Sequence, residues 1–326
     1  MKKKLMNMLK RWRRGYFLSD VKENLTEYFD LAFERHRMYC LKMLGAKKPW
    51  TRNHVLKHNF FCNVFRKLDK TSLWIENNVN RPFHNMPDFW KSIIVCRMIS
   101  WVPTLEELKE NACLYGDWEK AQEVLTDRYL RNEKIFTSAF VINAVGYGTK
   151  VNYLFSLLKA IENKYPNFDE KIKSDSLNDL HTRLMDFDSV GDFMAYEYVT
   201  DFTYTYKKDD SDIYKWAVLG IGAKRGYNRI FNGEPLKNVD KNYLKRCNSI
   251  FNTWNKYITK QIHFEIFKTK EDYKLKVKNP VKQGEIFIEN TFKKYFYNLT
   301  MREVEHWLCE YDKYKRGGNS RKYDGA

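Results

Sequence analysis

The chain has 326 residues, enough for one large domain or two small ones around a buried core. Hydrophobic residues make up 43% of it and aromatic residues 16%, which is too apolar for a disordered polypeptide. The net charge of +17 predicts a polyanionic partner, because lysine and arginine displace counterions from a phosphate backbone. The sequence shows neither an apolar run that could span a bilayer nor a signal peptide, so we expect an intracellular protein with no membrane partner.

The cysteines do not form a recognisable metal site. None belongs to a C-x-x-C pair or has a histidine at zinc-finger spacing, so we predict buried thiols in a reducing compartment and no bound metal. The six residues are Cys40, Cys62, Cys96, Cys113, Cys247 and Cys309.

Residues 1–20 form a basic N-terminal arm. Its first 14 residues contain seven lysines and arginines and no acidic residue. We expect this arm to lie on DNA; the alternative is a solvated helix or a weak membrane-surface helix.

Helical periodicity dominates the remaining chain and predicts a mainly α protein. We expect a single helical domain over 21–316 and a mobile tail over 317–326, because no proline- or serine-rich linker interrupts the pattern. A short helix would begin at Thr104, with Glu107 completing a capping box, and Pro82 would lie in a loop. The other predicted helices span 21–44, 53–68, 88–99, 117–130, 150–164, 188–205, 212–218, 223–231, 239–261 and 300–314; segments 135–143 and 285–290 are ambiguous with strand.

The first candidate site follows Trp50. On the predicted 53–68 helix and its continuation, Asn63, Arg66 and either Asp69 or Lys70 follow at three- and four-residue spacing and would share one face. Such a polar stripe would enter a site while the neighbouring phenylalanines pack. The alternative is a surface pair between Arg66 and Asp69 that contributes little free energy.

The second candidate is the pair Glu197 and Asp201, one helical turn apart. Like charges at this spacing disfavour a helix unless they share a cation or one of them is protonated. Paired carboxylates suit general acid–base catalysis, and two solvated acids are the alternative.

A Gly-x-Gly-x-Lys pattern occurs twice, at 146–150 and 220–224, and each copy precedes a predicted helix. In a helix-hairpin-helix such a turn presents backbone N–H groups to a phosphate, and Lys224 and Arg225 would add positive charge. The alternative is an ordinary turn in which glycine supplies a positive φ. The spacing does not match a nucleotide-binding P-loop.

The last candidate segment is the predicted helix 300–314. Glu303, His306 and Glu310 would share one face and aromatic residues the opposite face, with Lys313 one turn after Glu310. A histidine in this setting is more often structural than catalytic, and a single Glu-x-x-His does not indicate a di-iron site.

Together these segments resemble the α-glutamyl/putrescinyl-thymine pyrophosphorylase family. Some of its members are amino acid:DNA transferases, and some are fused to 5-hydroxymethyluracil DNA kinases. Ile221 stands where the family has proline. The resemblance covers about residues 25–316, and its motifs are Pro49-Trp50-Thr51, Phe61 to Asp69, Gly220 to Gly226, and His306 to Lys313.

The resemblance implies a fold similar to helix-hairpin-helix DNA glycosylases. It implies a substrate as well: phosphorylated or pyrophosphorylated 5-hydroxymethyluracil in double-stranded phage DNA, within the cytoplasm of an infected bacterium. An amine or amino acid such as putrescine, glutamate or glycine would displace the leaving group from a flipped base. A separate kinase would act upstream, and neither a metal nor an organic cofactor is required.

On this interpretation a cation neutralises the departing phosphate and a carboxylate accepts the proton of the incoming ammonium. The catalytic candidates are Arg66, Asp69, Glu197, Asp201 and Glu310. The candidates for contact with DNA or its phosphates are Trp50, Asn63, Gly220, Gly222, Lys224, Arg225 and Lys313.

Two other functions compete with this one. A glycosylase-like base-excision enzyme would need a catalytic aspartate after the hairpin, for which Asp240 is the nearest candidate. A non-catalytic DNA-binding module would explain the charge and the hairpin, but not the clustered carboxylates.

Overall fold

The computed structural model describes residues 19–138, 142–207, 210–254 and 299–318. Within these ranges the protein is helical and contains no strand, which confirms the predicted mainly α class. Turns of 3-10 helix occupy Arg66–Leu68 and Ser211–Tyr214. The α-helices are α1 (Ser19–Met43), α2 (His54–His58), α3 (Lys70–Ile75), α4 (Arg81–Phe83), α5 (Phe89–Ile99), α6 (Val102–Glu110), α7 (Trp118–Leu130), α8 (Lys150–Lys164), α9 (Phe168–Ser174), α10 (Leu177–Met185), α11 (Asp192–Phe202), α12 (Ile221–Phe231), α13 (243–254) and α14 (Met301–Lys315).

Several sequence-based boundaries are confirmed closely, among them those of α5, α7, α8 and α14. The basic arm up to residue 18, the predicted helix beyond 254, the ambiguous segment 285–290 and the tail after 318 lie outside the described residues. None of the helices within the described ranges combines the length and the apolar character that crossing a bilayer requires.

The predicted helix 53–68 is wrong. Helix α2 ends at His58, and the chain then runs irregularly until the 3-10 turn at Arg66. Backbone groups that a helix would pair internally find tertiary partners instead: Arg35 donates to the Phe61 carbonyl, and the Cys62 N–H donates to Glu310. Asn63, Arg66 and Asp69 therefore do not share a helical face.

Two smaller expectations are wrong as well. Pro82 lies in the first turn of α4, which follows a π-helical turn at Glu76–Asn80, rather than in a loop. Helix α6 begins at Val102, so Thr104 is inside it, and its hydroxyl donates to the Ile135 carbonyl at 3.0 Å.

The described chain divides into two compact units. The second unit is the continuous segment Lys67–Val218. Its core surrounds α5, which is buried at every position and contacts α6, α8, α9 and α11. Enclosing this helix removes its apolar side chains from water.

The first unit combines the residues up to Arg66 with those from Leu219 onward. Here α12 packs along α14, and α1 contacts both. The rings of Tyr28 on α1 and Tyr311 on α14 meet edge to face, with centroids 5.7 Å apart. Helix α14 begins with a capping box formed by Thr300 and Glu303.

Two glycines allow α12 and α14 to approach each other. A Cβ atom at Gly226 would overlap the Leu308 carbonyl oxygen, and one at Gly222 would overlap the Cys309 sulfur. Neither glycine has a positive φ. In this helix pair, glycine is therefore needed for close packing and not for its backbone conformation.

A buried ionic cluster joins the same two helices. The carboxylate of Asp312 is fully buried and accepts hydrogen bonds from Arg225 (2.9 Å), Arg229 (2.9 Å) and Arg316 (3.1 Å). Burial alone would raise the pKa of Asp312, but the hydrogen bonds from Arg229 and Arg225 and the nearby positive charges lower that pKa below its usual value. The carboxylate therefore stays ionised at neutral pH.

The glycine contacts predict different costs for two alanine substitutions. Gly226→Ala should lower the free energy of unfolding by about 3 kcal/mol, because its Cβ meets rigid backbone. Gly222→Ala should cost about 1–2 kcal/mol, because its Cβ meets a side chain. Urea denaturation measures both costs.

A second substitution and a control test that reasoning. Cys309→Ala should restore the stability of Gly222→Ala but not that of Gly226→Ala, since only the first clash involves the sulfur. Gly191→Ala is the matched control, because its Cβ would meet no atom within 4 Å. A Gly226→Ala protein as stable as the wild type would contradict the close approach of the helices.

Asp312→Asn should lower the free energy of unfolding by about 3 kcal/mol at neutral pH, because three arginines lose their carboxylate. The folded pKa of Asp312 lies below its unfolded value, so its stabilisation is present above about pH 4 and is lost as the pH falls through the lowered pKa. Urea denaturation of the two proteins should therefore converge at acidic pH. Asp127→Asn, at an exposed position on α7, should match the wild type at every pH.

Candidate functional site

The candidate residues are divided between the two units. The second unit contains Asp69, Glu197 and Asp201. The first unit contains Trp50, Asn63, Arg66, Gly220, Gly222, Lys224, Arg225, Glu310 and Lys313.

Glu310 lies on α14 and faces the loop that follows α2. Its Oε2 atom accepts the Cys62 N–H at 3.1 Å and the Lys313 ammonium at 2.8 Å. No residue within the described ranges donates a hydrogen bond to its Oε1 atom. Both Glu310 and Lys313 are largely buried, so these hydrogen bonds hold the carboxylate in a fixed orientation.

The loop beside Glu310 separates two neighbouring phenylalanines. Phe61 is 3% exposed, whereas Phe60 is 44% exposed. The Lys313 ammonium lies 4.6 Å from the ring centroid of Phe61 and 5.6 Å from that of Phe60. Asn63 and Arg66, which follow in the same loop, are buried polar residues. The segment from Phe60 to Arg66 therefore combines aromatic and charged side chains.

Trp50 is half-buried at the start of this region. Its indole N–H donates to the Ala46 carbonyl at 2.6 Å, and the Lys48 ammonium lies 5.1 Å from its ring centroid. These contacts fix the orientation of the indole, which then offers part of one surface to a ligand.

The start of α12 differs from the predicted phosphate cradle in two respects. Gly220 is the N-cap, and its N–H donates to the Glu305 carboxylate at 3.3 Å. A carboxylate of the protein itself therefore lies at the positive end of the helix. Gly222 lies inside α12 against Cys309, so its lack of a side chain serves helix packing.

The two cations after this turn have different surroundings. Arg225 binds the buried Asp312. Lys224 is half-buried, and its ammonium forms no ion pair with any residue in the part of the chain that the structure describes. Lys224 is thus the less engaged of these two cations among the described residues.

The earlier Gly-x-Gly-x-Lys copy is an ordinary turn. Gly146 and Gly148 both have positive φ, at 87° and 72°. The Thr149 side chain then caps α8 by accepting the Asn152 N–H at 3.0 Å. This matches the alternative interpretation of the pattern, in which glycine supplies the backbone conformation.

In the second unit, Glu197 and Asp201 share one cation. Asp201 accepts Arg97 Nε at 2.6 Å and also binds Arg97 Nη2, while Glu197 lies 3.0 Å from Arg97 Nη1. All three groups are largely buried. Sharing a guanidinium explains how like charges one turn apart are tolerated in α11. Asp69 occupies the N-cap position of α3 and is half-buried.

Asp240 is engaged in a structural network. Its carboxylate accepts the Tyr227 hydroxyl at 2.6 Å and lies 3.3 Å from Arg246. Burial acts to raise the pKa of Asp240, but these contacts and the Asn242 N–H lower it. A carboxylate held in this way is a weaker candidate for the base of a glycosylase.

Sequence reasoning did not identify three residues that shape these clusters, and two of them had a recognisable signal. Arg97 is the single charge in the apolar run from Ile93 to Ile99, and a lone charge in such a run must find a partner. Phe60 differs from Phe61 only in its surroundings, so the sequence carries no signal for its exposure. Asp312 lies one turn before Arg316, which indicates an ion pair but not the burial of the group.

Comparison with known proteins then identifies relatives of the chain. Residues 22–322 match the family model described as the helical domain of 5-hmdU DNA kinase. A curated 5-hmdU DNA kinase from Bacillus phage SP10 is 23% identical over 312 residues, which cover 88% of this chain and 44% of the relative. The chain therefore spans less than half the length of that relative, and no solved structure matches it significantly. Because the family model extends over most of the chain, and as the ordered sequence motifs predicted, this protein belongs to the family of 5-hmdU DNA kinase helical domains.

Proposed function

We propose that this protein acts on 5-hydroxymethyluracil in DNA and replaces the phosphate or pyrophosphate of the phosphorylated base with an amine or amino acid. The family and the name of the phage relative support the modified base as substrate. The positive charge supports DNA as the partner. As part of the same proposal, a separate kinase acts upstream and phosphorylates the base.

The proposed reaction has simple requirements. The amine nitrogen forms a bond to the exocyclic CH₂ carbon, and the C–O bond to the leaving group breaks, so that phosphate or pyrophosphate departs with the electron pair. The proton lost by the incoming ammonium passes to a carboxylate. The protein must therefore supply a cation for the leaving group and a positioned base for the nucleophile.

The observation that carries the proposal is the geometry of Glu310. Its Oε2 atom accepts hydrogen bonds from the Cys62 N–H and the Lys313 ammonium, and no described residue donates a hydrogen bond to its Oε1 atom. A fixed, buried carboxylate of this kind suits the role of general base. In Asp201 both oxygens bind Arg97, so Asp201 is the reserve candidate; Glu197 and Asp69 remain weaker candidates.

Cations of the same unit are proposed to supply the second requirement. We assign stabilisation of the departing phosphate to Arg66, which is buried in the loop next to Asn63. Lys313, held by Glu310, is a second source of positive charge. In a site with little water, such fixed charges stabilise a developing anion more strongly than they would in solution.

Contact with the DNA backbone is assigned to the start of α12 and to Trp50. Lys224 is a stronger candidate than Arg225, because Arg225 is engaged by Asp312. Gly220 and Gly222 are weaker candidates, because the Gly220 N–H already donates to Glu305 and Gly222 packs against Cys309. A helix-hairpin-helix fold similar to DNA glycosylases, with the target base flipped out of the duplex, is part of the same proposal.

Arg66→Ala and Glu310→Gln should each slow amine transfer about 100-fold, as is usual when one electrostatic or proton-transfer group is removed. Arg66→Lys should recover little activity if the contact to phosphate is bidentate. The measurement is single-turnover transfer on a duplex with one phosphorylated 5-hydroxymethyluracil, followed by nucleoside mass spectrometry.

Glu303→Gln is the matched control for Glu310→Gln. It removes a buried carboxylate of the same helix that serves the capping box, so it should affect stability more than turnover. If Arg66→Ala and Glu310→Gln both turn over at the wild-type rate, this site assignment is wrong. If the wild type binds the duplex and transfers no amine, the protein is a DNA-binding module instead.

Lys224→Gln should weaken duplex binding to a similar extent for every sequence and reduce the slope of log affinity against log salt by about one. Arg225→Gln should instead lower the free energy of unfolding by about 1 kcal/mol, because Asp312 loses one of its three arginines. Fluorescence anisotropy over a salt series measures the effect on DNA binding, and urea denaturation measures the effect on stability. Both variants are measured in both ways. An unchanged salt slope in Lys224→Gln would mean that Lys224 does not contact phosphate.

A further inference from the structure

Phe60 is an exposed aromatic residue in a backbone segment that is held in place. The two residues that follow it are held by hydrogen bonds, because Arg35 Nη2 donates to the Phe61 carbonyl at 2.9 Å and the Cys62 N–H donates to Glu310. Phe61, Val64 and Phe65 are buried, whereas Phe60 keeps 44% of its surface in solvent. Its exposure therefore follows from the fold of the loop.

The ring also has a specific electrostatic setting. The Lys313 ammonium lies 5.6 Å from its centroid, and Lys313 is itself held at 2.8 Å by Glu310. A nucleotide combines a flat base, which stacks on aromatic rings, with an anionic phosphate that an ammonium attracts. An exposed ring beside an oriented cation matches both parts of such a ligand.

We infer that Phe60 is the ring on which an unpaired pyrimidine of the DNA stacks. This inference rests on the proposed function, because it takes DNA as the ligand and the Glu310 region as the site. Trp50 is less suited to this role, since its indole is half-buried and its N–H is bonded to the Ala46 carbonyl. Phe60 thus acts as a positioning residue that keeps the extruded base beside Glu310 and Lys313.

The test compares two short DNA duplexes of equal length and charge, one with a single bulged thymine and the other with a single bulged abasic site. Affinities are measured by fluorescence anisotropy at about 0.3 M salt, where binding to the phosphate backbone is suppressed. The wild type should prefer the thymine bulge about tenfold, which is the scale of one base stacked on an aromatic side chain. The ratio of the two affinities cancels the contributions of the DNA backbone and of the overall charge.

Phe60→Ala should reduce this preference to about one without lowering the melting temperature, because the side chain is exposed. Phe60→Tyr should keep the preference. Phe60→Leu, which is apolar but lacks a π face, should not. Tyr129→Ala is the matched control, since Tyr129 is an exposed aromatic residue on α7 far along the chain from every candidate residue.

Three outcomes would overturn the inference. The wild type could show no preference for the thymine bulge, Phe60→Ala could keep the preference, or Phe60→Leu could restore it. A change of sedimentation in Phe60→Ala with an unchanged ratio would assign the ring to a protein contact and would also overturn stacking.

The binding test is independent of the transfer reaction. It uses neither the amine nor the phosphorylated base. A loss of preference in Phe60→Ala therefore supports base stacking on Phe60 even if the wild type transfers no amine. Conversely, a wild type that transfers amine, together with a Phe60→Ala variant that keeps the preference, rejects stacking alone.

Discussion

The Leu308 carbonyl occupies the space where a side chain at position 226 would begin, and the arrangement of the first unit depends on that contact. It brings α12 and α14 together at a separation that only glycine permits on the α12 side. Helix α14 is thereby fixed, and its side chains reach three partners: Asp312 the arginines of α12, Tyr311 the ring of Tyr28, and Glu310 the loop after α2. The candidate site inherits its geometry from a helix crossing.

Helix α14 is unusual because much of its charge is buried. A charge removed from water needs a partner with good geometry, since desolvation otherwise outweighs any gain. Each carboxylate on this helix has one: Glu303 binds Arg302 and Thr300, Glu305 caps α12, Asp312 holds arginines and Glu310 holds Lys313. In Glu303 and Asp312 both carboxylate oxygens accept hydrogen bonds, whereas in Glu310 only Oε2 accepts hydrogen bonds from the described residues.

The sequence predicted local structure well and long-range pairing poorly. Helices α7 and α8 are delimited by the caps Asp117 and Thr149, which local patterns reveal. The segment after α2 was wrongly predicted to be helical, because its hydrogen bonds come from Arg35 and Glu310, which are distant in sequence. The requirement for a cation between Glu197 and Asp201 was predictable, yet only the fold identifies it as a residue about one hundred positions away. Likewise, the sequence around Gly222 predicts a turn, and only the contact with Cys309 shows that this glycine serves helix packing.

The discontinuity of the first unit bears on how the chain is made. Its two halves are separated by the whole of Lys67–Val218, and α14 follows later still. At a synthesis rate of roughly 5–20 residues per second, residues up to 66 wait on the order of ten seconds or more for the partners that bury them. During that interval α1 carries apolar positions such as Phe29 and Phe33 without α12 or α14 to cover them. The second unit is a continuous segment and can complete its core first. The nascent α1 therefore exposes apolar surface for longer than the helices of the second unit do.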